Sequence, residues 1–600
     1  MIWGRVLSRK NTSPNQPALS LFTRFCGIIM LYGIGFQQFS DTNFLTGEQL
    51  MRKRIIALLL AAAMAVSGPE TAYALQENAI SGIDSQELSE TQAEEVLEEE
   101  AGTQAFAFDN GTITGYLGED SDVVIPEEID GVLVTAIGKE AFRDNQNITS
   151  VSFPSSLVAI GQMAFSDCRN LSGVLEIPDS VETIGSNAFY NCIGFSGLQL
   201  GNGLKTIESY AFYGCTGFTG DLILPDSVAS VGSNAFYGNS GFDGSLKLSG
   251  SMTAVSAYCF AECKNLTGKL EIPDSVKTVG YYAFRNAGKL TSVELGQNVT
   301  ELNEGSGYYS YSSFEWCDGV ADITFRGSNP PGIRSVTGMF QNLKGLESLT
   351  VPAGAYRDYA LAYGDYVQNG VRLLTESEEE QLIEENILIC YTGSASQVEI
   401  PEGVTEIGPG AFQNNTSLQN VTIPQSVEKI DRNAFRGCAQ LEKVEFPMTN
   451  LELGEFAFYG CSSLSGILEF PENLSSIRKG AFQGCSGLEG VILPEYLAEI
   501  GDNAFYYCTG LSGELSVPPR VRRIGSQAFY NCSNLSTLIL QEGLEAIGDY
   551  AFSQCSGMKG DLTLPDTLTA LGTSAFSSCS QFERLTLSEN LTQIKVYTFS

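Results

Sequence analysis

The sequence predicts a solenoid: coils of 23 or 24 residues, each with two short β-strands, stacked so that strands run parallel from coil to coil. Three observations lead there. A phenylalanine returns at that step as Phe142, Phe165, Phe189, Phe212, Phe236, Phe260 and Phe284. It resumes as Phe412, Phe435, Phe458, Phe482, Phe505, Phe529, Phe552, Phe576 and Phe599. An apolar frame precedes each ring, as in Leu175, Ile177, Val181 and Ile184 before Ala188-Phe189. A cysteine commonly follows three residues later, as Cys192 follows Phe189.

Each element of the coil has a chemical reason. Leu-x-Ile and Val-x-x-Ile are β-prone runs too short for a free-standing helix, and Pro-Asp and Gly bound them as turn residues do. Ala-Phe-x-x-Cys is expected to close the coil as a helical or 3₁₀ turn. One coil cannot bury its own apolar face, so its neighbours must cover it, about 4.8 Å away. The extra residue of the longer coils sits beside a glycine, as in Leu171-Ser172-Gly173-Val174-Leu175, where a bulge is expected.

Read together, Leu-x-x-Val-x-Ile-Pro-x-x-Val-x-x-Ile-Gly-x-x-Ala-Phe-x-x-Cys resembles the repeat of BspA-like bacterial leucine-rich-repeat proteins, over about residues 105–600 apart from one interruption. The resemblance implies a leucine-rich-repeat solenoid at the bacterial surface or in the secretome, with members acting in adhesion and host-protein binding.

Composition narrows the chemistry. The net charge of −36 excludes the basic footprint that nucleic acid requires and disfavours anionic lipid. Histidine is absent, which removes Ser-His-Asp and Cys-His nucleophile systems and His-ligated zinc. No cofactor is expected, and carboxylate-only catalysis is all that composition leaves open.

In chain order, residues 1–50 match nothing downstream and are expected to be an upstream extension, with Met51 the true start. Arg52-Lys53-Arg54, the apolar run Ile55 to Val66 and Ala72-Tyr73-Ala74 are the three parts of a secretory signal peptide, 51–74. The acidic 75–104 reads as a linker. A first repeat block spans 105–374, opened by a capping unit with Gly111 to Tyr116; near Tyr359 to Tyr366 it resembles the closing unit of BspA-like arrays, which implies a short helix or turn there. A charged linker, 375–386, leads to a second block, 387–600, reopened by Ile387 to Tyr391. That block stops in mid-repeat, so further sequence is expected beyond Ser600. The expectation is two blocks; the alternative is one solenoid with an inserted excursion.

Candidate sites follow from what repeats and what varies. The cysteine column (Cys168, Cys192, Cys215 and their successors) is expected to be buried free thiols, because Asn145, Asn239 and Asn415 fill the same position without cross-linking. Tyr190, Tyr213, Tyr459, Tyr506 and Tyr530 follow the repeated Phe and would form ladders, either an aromatic platform for a ligand or packing over the coil edges. Glu176, Glu271 and Glu469 occupy outward strand positions whose identity changes from coil to coil. The expected partners are extracellular proteins or polysaccharides, with no nucleic acid and no membrane insertion once the signal is removed. The expected role is a non-catalytic binding or adhesion scaffold, secreted or cell-surface. The alternative is a targeting arm for an enzyme beyond Ser600.

Overall fold

Parallel pairing joins neighbouring coils through several short sheets rather than one continuous sheet. Gly173–Glu176 pairs with Phe195–Gln199, and Thr183–Ile184 lies between Ala159–Ile160 and Thr206–Ile207. The computed structural model describes residues 105–304, 312–333, 340, 342–367, 370–377 and 379–600. The expected extension, signal peptide and acidic linker (1–50, 51–74 and 75–104) lie outside the described residues. Those described belong to one compact unit.

The bulges fall where the glycines announced them. Register shifts by one between Phe195 and Gly197 opposite Gly173, and between Gly268 and Lys269. Gly173 takes φ +76° with nothing near a would-be Cβ, so conformation rather than space demands glycine there.

The phenylalanine column is the spine of the core. Successive rings from Phe142 to Phe314 stack 4.7–5.6 Å apart, tilted by at most 14°. A second stack runs from Phe412 to Phe599 at similar spacing. The buried residues form two hydrophobic clusters that meet near Leu388 to Cys390.

The segment carrying these rings differs from the helical or 3₁₀ turn expected of it. Asn187 and Asn191, two residues either side of Phe189, both take left-handed φ values of 58° and 55°. Alternation with left-handed residues stops any helix from propagating. Instead the N–H groups divide their work: Tyr190 and Cys192 donate back within the coil, to Asn187 and Phe189 carbonyls, while Phe189 and Asn191 donate to Ala211 and Tyr213 of the next coil at 2.7 and 2.8 Å. The third side of the coil is therefore a ladder of turns.

The cysteine column is bonded into this ladder. All the described cysteines are free and buried. Cys192 Sγ donates to the Phe165 carbonyl of the preceding coil at 3.0 Å, and the same bond recurs at Cys215, Cys438 and Cys508. Burial raises these thiols well above their ordinary pKa, to about 12 at Cys168 and Cys438.

Both runs open on an antiparallel hairpin. Strand β1 (Phe106–Asp109) returns as β2 (Thr112–Tyr116) through Asn110-Gly111, both at positive φ. Gln381–Glu384 returns as Ile387–Tyr391 through Glu385-Asn386 in the same way. The stretch 375–386, expected as a linker, thus contains the first strand of the second opening. Tyr116 stacks on Phe142 at 5.4 Å, and Tyr391 packs on Phe412 at 5.2 Å. Before the second hairpin, helix α1 (Tyr356–Tyr363) buries Tyr356, Tyr359, Ala360 and Tyr363.

Candidate functional surfaces

Outward strand positions line up in register within several short sheets. Gln199 lies opposite Glu176, Lys247 opposite Ile223, and Glu271 between Lys247 and Glu294. The inward neighbours Leu175, Leu246 and Leu270 are buried, so the pleat separates a fixed core position from a free surface position. Glu176 and Glu271 stand four coils apart and do not share a site. Glu271 is compensated by Lys269 at 3.1 Å; Lys269 also reaches Glu294, which pairs with Arg326 at 2.8 Å. Those bonds hold the Glu294 carboxyl below its usual range, the hydrogen bond from Lys269 acting most strongly. Glu469, in register with Ile492, makes no ion pair among the described residues.

The tyrosines do form ladders. Tyr190, Tyr213 and Tyr237 stack at 4.9 Å with planes within 10° of parallel, and Tyr506 stacks on Tyr530 at 5.0 Å. Tyr459 stands apart, with the Arg436 guanidinium 4.6 Å from its ring centre. Burial, with neighbouring Tyr237 next, raises the Tyr213 hydroxyl above its ordinary pKa. Stacking has a chemical consequence. An interior ring of such a ladder spends both faces on its neighbours and shows solvent only its edge and hydroxyl. A sugar ring would need a free face, so the ladder suits hydrogen bonding better than glycan stacking.

Two features escaped the sequence reading. Trp316, 40% exposed at φ 61°, has Arg285 4.2 Å from its ring, and Arg285 pairs with Glu262 at 3.0 Å. The only signal was an odd tryptophan in the tyrosine-adjacent position. The second is a groove of about 690 Å³ beside Glu469, at the turns that follow the first strand in three successive coils. Its signal is Met448, an exposed apolar residue where several other coils carry Asp or Glu, as Asp179, Glu472 and Glu495 do. Among the described residues no group of three or more His, Cys, Asp or Glu is placed to hold a metal ion, and no helix is long and apolar enough to cross a membrane.

The repeat geometry agrees with comparison to known sequences. The BspA type leucine rich repeat region matches residues 135–243, 243–363, 383–512 and 513–600. The chain belongs to the BspA-type leucine-rich-repeat family. As a BspA-type repeat protein it is also similar to solved structures. A leucine-rich repeat protein from Bacteroides ovatus is 23% identical, with 68% of this chain and 92% of that one covered and a TM-score of 0.37. A leucine rich cell surface protein from Faecalibacterium prausnitzii is 24% identical, over 72% and 92%, with a TM-score of 0.28. A T. pallidum leucine rich repeat protein is 31% identical, over 29% and 82%, with a TM-score of 0.27. No curated protein matches the chain.

Proposed function

We propose that this BspA-type protein is secreted or displayed on the bacterial surface, where its coils form a non-catalytic scaffold that binds an extracellular protein or polysaccharide. The observation that carries the reading is the series of outward strand positions. Its residues change from Glu176 through Gln199, Ile223 and Lys247 to Glu271 while the inward positions stay apolar and buried. A stacked scaffold presents such a surface at little ordering cost on binding. Closed tyrosine faces favour protein over glycan at the ladder's edge. The −36 charge, spread over a surface poor in Lys and Arg, favours cationic partners. The reading of 51–74 as a signal peptide supports export; N-terminal sequencing of exported protein should find a mature end near Leu75, and another end contradicts it.

The test of binding is an array of extracellular-matrix proteins and glycans probed with the full chain. Saturable binding lost on charge reversal at Glu176, Glu271 and Glu469 supports the strand face. Binding lost instead on replacing Tyr190 and Tyr213 moves the site to the turn ladder. No binding across a broad array overturns the scaffold reading.

A further inference from the structure

A groove on the strand face carries a distinct chemistry. In the coils around residues 445 to 495 an open groove lies beside Glu469, lined by the turns after the first strand. Phe470 closes its floor, buried to 7%. Met448 and Ile492, 60% and 55% exposed, offer apolar walls. Glu469, Glu472 and Glu495 also line it, and none of the three forms an ion pair among the described residues. That distinguishes Glu469 from several glutamates at the same outward strand position, while Glu176 shares its lack of an ion pair among the described residues. Glu445 is joined to Lys443 at 2.5 Å, Glu271 to Lys269, and Glu294 to both Lys269 and Arg326. Arg520, in the turn of the next coil, is held over the Tyr496 ring at 4.3 Å.

Resting on the binding-scaffold reading, we infer that this groove is the docking site for an extended, basic segment of a partner protein, whose Lys or Arg side chains meet Glu469, Glu472 and Glu495 while an alternating apolar side chain enters between Met448 and Ile492. Charge complementarity selects the occupant. Three uncompensated carboxylates repel an acidic peptide and leave a neutral one nothing to pair with, whereas a cationic segment is attracted and then held by burial of its apolar residue. Three coils at about 4.8 Å span roughly 10 Å between the first and the third, the reach of three to four extended residues. An extended strand alternates its side chains between two faces, which matches carboxylates at the rim and apolar walls within.

The experiment measures binding of labelled octapeptides to the full chain by fluorescence anisotropy. One peptide alternates lysine with leucine, one glutamate with leucine, and one lysine with serine; a soluble chitosan oligomer tests a cationic glycan. The inference expects saturable binding of the lysine–leucine peptide alone, weakened by added salt. Glu469→Gln with Glu472→Gln and Glu495→Gln should lower affinity at least about tenfold. Ile492→Ser should also lower it, and Glu176→Gln should not. Equal binding of the lysine–serine peptide or of chitosan, or affinity indifferent to the groove substitutions, overturns the groove while leaving the scaffold reading to the array test. Absence of peptide binding overturns the groove as well, whatever the array shows.

Discussion

The two hairpins that open the two runs are built alike yet face different surroundings, and the residues just after them record the difference. The first leads into Glu140-Ala141-Phe142-Arg143-Asp144, where the three charged side chains are exposed. The second leads into Gly410-Ala411-Phe412-Gln413-Asn414, where Gln413 and Asn414 are 3% and 2% exposed. What covers the second is α1 and the residues after it. Tyr356 donates its hydroxyl to the Gly410 carbonyl at 2.8 Å, Gln413 Nε2 donates to Gly364, and Asn414 Nδ2 donates to Val371. Asp365 accepts from Asn433 and pairs with Arg432; Arg357 spans Glu406 and Asp431. A Cβ on Gly410 would meet Gln413, with Tyr356 and Ala360 at ordinary contact distance, and its φ is +68°. The same turn thus carries charge where it meets water, and neutral hydrogen-bonding groups where it meets protein.

Deleting the capping ring should separate the openings most. Tyr391, 2% exposed, packs its ring on Phe412, so Tyr391→Ala is expected to cost about 3–5 kcal/mol in urea unfolding. Tyr116→Ala, at a half-buried ring, should cost clearly less. Equal losses would erase the distinction. Next comes charge at the covered turn. Asn414→Asp would set a buried carboxylate against the Val371 carbonyl and should cost about 3 kcal/mol, whereas Asp144→Asn at the exposed counterpart should stay within about 0.5 kcal/mol.

The smallest effect concerns pH. Burial works against the Asp431 carboxylate, but Lys429, the Arg432 N–H and Arg357 together hold its pKa below the ordinary value. A depressed folded pKa contributes stability that is present at neutral pH and lost as pH falls through it. Acidification should therefore loosen the α1 junction, an effect that Asp431→Asn should diminish in unfolding measured against pH. Both partners are partly exposed to solvent, so the change should be modest.

Much of this was legible in the chain. The Phe column, the free thiols and the two restarts are periodic, and period is what sequence displays best. Ala-Phe-x-x-Cys has helix-like spacing and so suggests a helical or 3₁₀ turn; the chain keeps the i→i−3 bonds of Tyr190 and Cys192 but alternates them with left-handed residues. The counter-signal lay at its flanks, where Asn187, Asn234 and Gly480 alternate with tyrosines that adopt the same left-handed φ, such as Tyr210. The tyrosine ladder was placed correctly in sequence, but ring faces closing on one another is a property of stacking that no single repeat reveals. Likewise the pairing of Glu271 and the isolation of Glu469 depend on which cation the neighbouring coil supplies. The covering of Gly410, Gln413 and Asn414 by α1 joins residues about fifty apart, although the loss of charge from Arg143-Asp144 to Gln413-Asn414 is visible to anyone who aligns the two openings.

A buried column of stacked rings and hydrogen-bonded thiols runs through each set of coils. Pulsed alkylation with iodoacetamide at about pH 8, without reductant and read by peptide mass spectrometry, tests it directly, because an unfolded thiol ionises near pH 8.5 while Cys438 is pushed up to about 12. Cys168 to Cys317 and Cys438 to Cys579 should stay unlabelled in the native chain and all label once urea unfolds it. Labelling of column cysteines in the native protein, or disulfides between neighbouring coils, would contradict it.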